Sequence, residues 1–274
     1  MENWTTSKIR ASKGSRKIAC ITAYDFAFAK MADAVGIPLI LVGDSLGMTT
    51  LGYSTTLPVT MNDMLHHTAA VARGVNNALI VADMPFLSYQ ISIEESIRNA
   101  GRFLQEAGAD AVKIEGGAIR KGCIETLTGN GIPVLGHIGL LPQSINQLGG
   151  FKVQGKSREA ADELVRDAEI LTEAGVFAIV LECVPPDIAA LVTAAAAVPV
   201  IGIGSGSACD GQILVMNDLL GLSENTPPRF VKQYAKLAPQ IKEAFSCYLE
   251  EVHTGAYPAL EHCYSKSQSS AKTS

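Results

Sequence analysis

Apolar residues in this chain gather into short, dense runs separated by longer stretches where polar and apolar positions mix at helical spacing. Eight runs stand out: residues 18–24 (IACITAY), 39–45 (LILVGDS), 79–85 (LIVADMP), 111–116 (AVKIEG), 133–139 (PVLGHIG), 178–183 (AIVLEC), 199–206 (PVIGIGSG) and 212–218 (QILVMND). Their length and β-branched content fit buried strands. The turns before them repeat a theme, "AVGIP", "EAGAD", "GNGIP" and "EAGVF", in which Gly follows a helix end. Glycine accepts the left-handed conformation that closes a last helical turn. The intervening stretches predict helices, among them 93–107, marked by Ile93, Ile97 and Leu104, and 157–174, opening on Ser157 as N-cap. Residues 188–197 (IAALVTAAAA) are small and apolar nearly all round, which predicts a buried helix or one that meets another subunit.

Eight strand–helix units predict a closed parallel (β/α)8 TIM barrel; a doubly wound open sheet, the competitor, rarely uses so many. No linker divides the chain, so residues 1–264 read as a single barrel domain. The polar, low-complexity segment 265–274 reads as a disordered tail. Two connections, 45–59 and 139–156, exceed the usual few residues after a strand. The second, GLLPQSINQLGGFKVQGK, is Gly-rich and polar, and fits either a mobile lid or a packed surface loop.

Composition narrows the functional classes. The chain has 274 residues, is 47% hydrophobic and 18% charged, and carries a net charge of −5. With no basic stripe and few aromatics, it does not read as a nucleic-acid binder. Its apolar runs are too short for a bilayer, and MENWTTSKIRASKGSRK lacks the apolar centre of a signal peptide, which predicts a cytoplasmic protein. Six scattered cysteines without a CxxC pair read as reduced thiols rather than a zinc ribbon.

Chemistry in a parallel barrel gathers where strands end. Those ends supply Asp44, Asp83, Lys113 with Glu115, His137, Glu182 and Ser205. Strand alternation puts Lys113 and Glu115 on one face. The second, third and fourth units each contribute a carboxylate, and three crowded carboxylates call for a cation. All-oxygen ligands suit a hard ion, Mg²⁺ before Mn²⁺ or Zn²⁺. Singly, each residue has a plainer role: Asp44 as helix cap, Asp83 as turn anchor, His137 as a structural histidine, Lys113 as neutraliser of Glu115. Their convergence on one barrel end favours chemistry. Glu182 stands apart on the sixth strand, partly desolvated between Leu181 and Cys183, and suits a proton acceptor. Together the groups suggest a metal-held keto or enolate oxygen with a base opposite. The Gly-rich "GIGSG" lacks dinucleotide-site spacing, and His66-His67 have no partner one helical turn on.

The ordered blocks "TAYD", "VGDSLGM", "TLPVTMNDMLHHTAAVARG", "ADMPF", "GADAVKIEGG", "GIPVLGHIGLLPQS", "LGGFKVQGK", "LECVP", "IGIGSG" and "CDGQILV" resemble the ketopantoate hydroxymethyltransferase family over roughly residues 5–262. The resemblance implies a barrel of the phosphoenolpyruvate/pyruvate type with one Mg²⁺ at Asp44, Asp83 and Glu115. It implies that Asp44, Ser45, Asp83 and Lys113 hold the keto acid, that His137 lines its pocket, and that Glu182 accepts the proton. The implied reaction carries a one-carbon unit from 5,10-methylenetetrahydrofolate to 3-methyl-2-oxobutanoate, and the implied assembly is a homo-oligomer, a decamer of paired pentamers. Ser205 replaces a more usual Ala, and Asn217 a common His, which puts contacts on the folate side in doubt. The competing enzyme reading is a Mg²⁺-dependent C–C lyase of a 2-oxo or hydroxy acid on the same barrel. Such lyases commonly carry a nucleophilic cysteine or extra charged residues on the lid, and 139–156 has no cysteine. A non-catalytic barrel with a decayed site is the third reading, and the intact charged set argues against it.

Overall fold

A computed structural model describes residues 2–223 and 226–264; the proposed tail, 265–274, lies outside the described residues. Eight parallel strands form a closed barrel in sequence order. They are β1 (Ile18–Thr22), β2 (Leu39–Val42), β3 (Leu79–Asp83), β4 (Ala111–Glu115), β5 (Val134–Gly139), β6 (Ala178–Glu182), β7 (Val200–Ile203) and β8 (Gly211–Leu214). The first seven strands fall inside apolar runs read from the sequence, and β8 begins one residue before the eighth run. Closure comes from β1 pairing with β8, Ile18 opposite Gly211 and Ile21 opposite Leu214. The described chain divides into a barrel unit, through Met216 with Arg229–Val231, and a smaller unit built mainly on the helix Leu237–Thr254.

The period-two rows pointing into the barrel explain both core and site. Leu79 and Val81 on β3, Ala111 on β4, Leu135 on β5, and Ala178 and Val180 on β6 belong to one buried apolar cluster. Two residues further along the same rows stand Asp83, Lys113, His137 and Glu182, and Glu115 follows Lys113. The barrel is therefore apolar below and ionic at its C-terminal mouth, the end where such barrels do chemistry. At the opposite end Trp4 packs on the cluster, and its N–H donates to the Asn77 carbonyl just before β3.

The helices form where their caps predict. Ser157 caps the helix Arg158–Glu173 by accepting from the Ala160 N–H. The helix Ile93–Gln105 is present, but its buried face is Ser96, Ala100 and Phe103, with Ile93 exposed. Small residues there allow close packing on the barrel, and this burial order is not the one the aliphatic positions suggested. The helix Pro186–Ala195 also departs from expectation: only Ala189, Val192 and Thr193 are buried, and Leu191 is exposed. Its alanines carry little information about which face turns inward. The eighth run overshot, because Met216–Leu220 is helical rather than extended. The connection 45–59 opens with a short helix, Leu46–Thr49, while 139–156 holds a 3₁₀ turn, Pro142–Ser144, followed by a helical turn, Ile145–Leu148.

Candidate active site

Ionic side chains at the barrel mouth form one connected array. In register, Asp83 lies beside Lys113, and Glu115 beside His137. Lys113 Nζ lies 2.8 Å from Asp83 Oδ1 and 3.5 Å from Glu115 Oε1. It also lies 3.2 Å from His137 Nδ1. The other imidazole nitrogen, Nε2, faces Glu182 Oε2 at 3.3 Å. Asp44, just past β2, donates its backbone N–H to Asp83 Oδ2. Asp44, Asp83, Lys113, Glu115 and His137 are all buried. Glu182 is the partly open member, its side chain 17% exposed. It does not stand apart, as the sequence suggested, because His137 joins it to the others. Its approach to β5 depends on Gly139, where φ is +92° and a Cβ would collide with the Glu182 carbonyl.

Asp44 is not a helix cap; the N-cap of Leu46–Thr49 is Ser45, whose side chain makes no capping bond. Ser45 Oγ instead pairs with Tyr24 Oη at 2.9 Å. Ser205 is fully buried and pins the backbone after β6, donating to the Leu181 carbonyl and accepting from the Val184 N–H. Asn217 falls in the smaller unit. His67 Nδ1 pairs with the Tyr24 carbonyl, so it serves packing.

The residue missed from sequence is Gln143. Its Nε2 donates to Asp44 Oδ2 at 3.0 Å and to the Met84 carbonyl at 2.9 Å. Its backbone N–H donates to Glu115 Oε2, while its Oε1 accepts from Tyr89 Oη at 2.7 Å. One residue therefore orients two carboxylates, Asp44 through its side-chain amide and Glu115 through its backbone N–H. "GLLPQS" was visible as a motif, but a glutamine carries no charge signal, and the loop gave no register from which its direction could be read.

The charges do not balance. Asp44, Asp83, Glu115 and Glu182 would carry four negative charges when ionised, against Lys113 and a protonated His137. Burial, with Asp83 and Glu115 nearby, pushes the Asp44 carboxyl well above its ordinary range. Burial also raises Asp83, although Lys113 opposes it. Burial acts to raise Glu115 too, but Lys113 and His137 hold it below the usual value. For Lys113, burial works against the charge, yet Asp83, Glu115 and Asp44 raise its pKa. Burial and Lys113 act to lower His137, while Glu115 and Glu182 push it up to about 9. A divalent cation would cancel the surplus of two negative charges. The oxygen donors fit a hard ion in chemistry and charge. Among the described residues, however, no three such side chains form a ready ligand shell. Lys113 on Asp83 and Gln143 on Asp44 occupy lone pairs that an ion would take.

The imidazolium predicts a pH effect. Because the folded pKa of about 9 exceeds the ordinary 6.5, its stabilisation is complete below 6.5 and is lost as pH rises through 9. In chelator-treated protein, calorimetry should show the melting temperature declining across that window. His137→Gln should flatten the decline, and an unchanged slope would remove His137 as its source.

The closed (β/α)8 barrel, ionic at its C-terminal mouth, shares its fold with solved enzymes of the phosphoenolpyruvate mutase/isocitrate lyase superfamily. Solved structures agree on that fold. A 2,3-dimethylmalate lyase described as a member of that superfamily matches with TM-score 0.59 and 15% identity over 96% of this chain and 92% of that one. A phosphonopyruvate hydrolase, in complex with oxalate and Mg++, matches with TM-score 0.60 and 16% identity over 94% and 93%. Sequence is more specific. Residues 3–260 match the family described as ketopantoate hydroxymethyltransferase. The 3-methyl-2-oxobutanoate hydroxymethyltransferase of Syntrophus aciditrophicus (strain SB) is 57% identical, covering 95% of this chain and 96% of the relative. Its namesake in Clostridium novyi (strain NT) is 53% identical, covering 96% of each. The chain belongs to the ketopantoate hydroxymethyltransferase family, and it is a transferase of hydroxymethyl groups. No helix among the described residues is long and apolar enough to cross a membrane.

Proposed function

We propose that this enzyme transfers a hydroxymethyl group from 5,10-methylenetetrahydrofolate to C3 of 3-methyl-2-oxobutanoate, giving 2-dehydropantoate for pantothenate and coenzyme A synthesis. The observation that carries this reading is the buried array of Asp44, Asp83, Glu115 and Lys113, linked through His137 to the partly open Glu182. Asp44, Asp83 and Glu115 would hold one Mg²⁺, which when bound supplies positive charge beside the keto and carboxylate oxygens. Asp44, Ser45, Asp83 and Lys113 orient the keto acid, with His137 lining its pocket. The Lys113 ammonium favours negative charge on the keto oxygen as the C3 proton leaves. Glu182 accepts that proton, and His137 holds the carboxylate in place. The carbon nucleophile then attacks the one-carbon unit of the ring-opened donor, and water completes release of the hydroxymethylated product. Protein side chains form no covalent bond to substrate. The family resemblance extends the reading to a homodecamer working in the cytoplasm.

Product analysis tests this. Chelated protein given 3-methyl-2-oxobutanoate, donor and Mg²⁺ should form 2-dehydropantoate, and omission of Mg²⁺ should abolish it. In heavy water, keto acid with Mg²⁺ alone should gain deuterium at C3. Cleavage fragments instead of 2-dehydropantoate would replace the transferase reading with a lyase.

A further inference from the structure

Beside the carboxylate array lies a cavity of about 370 Å³, sharing Glu115 and Gln143 with it as a wall. That volume is within the range of roughly 300–1,000 Å³ typical of ligand pockets, and a five-carbon keto acid would leave most of it empty. Leu57, Phe86 and Tyr89 supply apolar and aromatic lining, and Arg120 supplies positive charge. The Arg120 guanidinium carbon sits 5.3 Å from the centre of the Tyr89 ring. Its Nε is buried without a hydrogen-bond partner, and among the described residues no carboxylate forms an ion pair with it. Glu115 lines the same cavity but makes no ion pair with this guanidinium, whose donors are left for a ligand carboxylate.

The position is built rather than incidental. Arg120 ends the 3₁₀ turn Ala118–Arg120 that follows β4. At Gly116, where φ is +118°, a Cβ would stand 2.9 Å from Arg120 Cγ, so glycine gives the side chain its path. Tyr89, beneath the guanidinium, is fixed by its bond to Gln143. Gln143 in turn holds Asp44 and Glu115. The cavity and the ionic array thus share one scaffold.

We propose that this cavity receives the second substrate, a flat heterocyclic one-carbon donor, and that Arg120 binds its carboxylate-bearing glutamate tail. The inference rests on the transferase reading above, and the experiment separates the two. Arg120→Met should raise KM for 5,10-methylenetetrahydrofolate by about tenfold or more, the scale of a lost charge-assisted hydrogen bond. Deuterium exchange at C3 of the keto acid, which needs no donor, should keep its rate and its KM. That exchange also shows that the variant is folded. With a methylene donor whose glutamate is replaced by a neutral amide, the methylenetetrahydropteroyl methylamide, wild type and Arg120→Met should have the same KM. Arg120→Lys should recover part of the affinity for the complete donor. An unchanged KM for the complete donor overturns the proposal, as does a defect that persists with the glutamate-free donor. A raised keto-acid KM in the exchange assay would assign Arg120 to the first substrate and overturn it as well. Failure of wild type to exchange or to form product would instead overturn the transferase reading.

Discussion

Glu182→Gln should slow deuterium exchange at C3 of 3-methyl-2-oxobutanoate by about 10²-fold or more, the usual scale for loss of a general base. Turnover with the one-carbon donor should fall equally, because both reactions begin with the same proton removal. Glutamine preserves size and a hydrogen-bonding end, but it cannot take a proton at neutral pH. Mg²⁺ affinity, measured by calorimetry, should stay near wild type, since Asp44, Asp83 and Glu115 are unaltered. The neighbouring imidazole sharpens the choice of base. Both ring nitrogens of His137 face protein neighbours, Nδ1 toward Lys113 and Glu115 and Nε2 toward Glu182, and the residue is buried. Glu182, by contrast, is partly open at the mouth of the barrel, and Nε2 of that imidazolium stands 3.3 Å from its carboxylate. Exchange at the wild-type rate, with only turnover reduced, would move Glu182 to the donor half of the reaction.

How much of this was readable beforehand follows from periodicity. A row such as Leu79, Val81, Asp83 announces its geometry, because alternation carries the apolar face straight into the acid. The same holds for Ala111, Lys113, Glu115 and for Ala178, Val180, Glu182. Strand order in a (β/α)8 barrel is fixed by chain order, so the neighbours of each row were known once eight units were counted. Burial of Asp83, Lys113, Glu115 and His137 and the Lys113–Glu115 contact follow from that reasoning alone.

What stayed hidden lies where periodicity stops. Gln143 sits on a 3₁₀ turn inside a long connection, so nothing in the spacing aimed its side-chain amide at Asp44 or its backbone N–H at Glu115. Arg120 lies on another such turn, after β4. The link from Glu182 to the array was concealed because His137, on β5, reaches both sides through its two nitrogens, and counting strand ends cannot reveal a bridge. In the alanine-rich helix Pro186–Ala195, side chains of similar size gave no moment from which to orient it. The acids, too, were legible as a candidate ion site, while the donors that now occupy their lone pairs, Lys113 and Gln143, needed coordinates.

Lys113→Met should lower turnover by about 10²–10³-fold, the cost of removing one pre-set group that stabilises developing negative charge. It should also destabilise the metal-free protein by about 3–5 kcal/mol, because it strips the cation from a buried ionic cluster. The burial justifies that scale: the Lys113 and Asp83 side chains are only 4% and 2% exposed, and their charged atoms are 2.8 Å apart. The deficit should depend on pH. Without the ammonium, the Asp44 and Asp83 carboxyls, already raised in the fold, rise further, and Glu115 loses the cation that holds it down, so the folded variant binds more protons than the unfolded chain does. Stability then falls as pH rises. Denaturation of chelated wild type and variant should therefore show a wider gap near pH 8 than near pH 5. Saturating Mg²⁺ should narrow the gap at the higher pH by neutralising Asp44, Asp83 and Glu115, yet leave the activity loss in place. A gap that ignored both pH and Mg²⁺ would mean that Lys113 contributes packing rather than charge, and its part in steadying the keto oxygen would go with it.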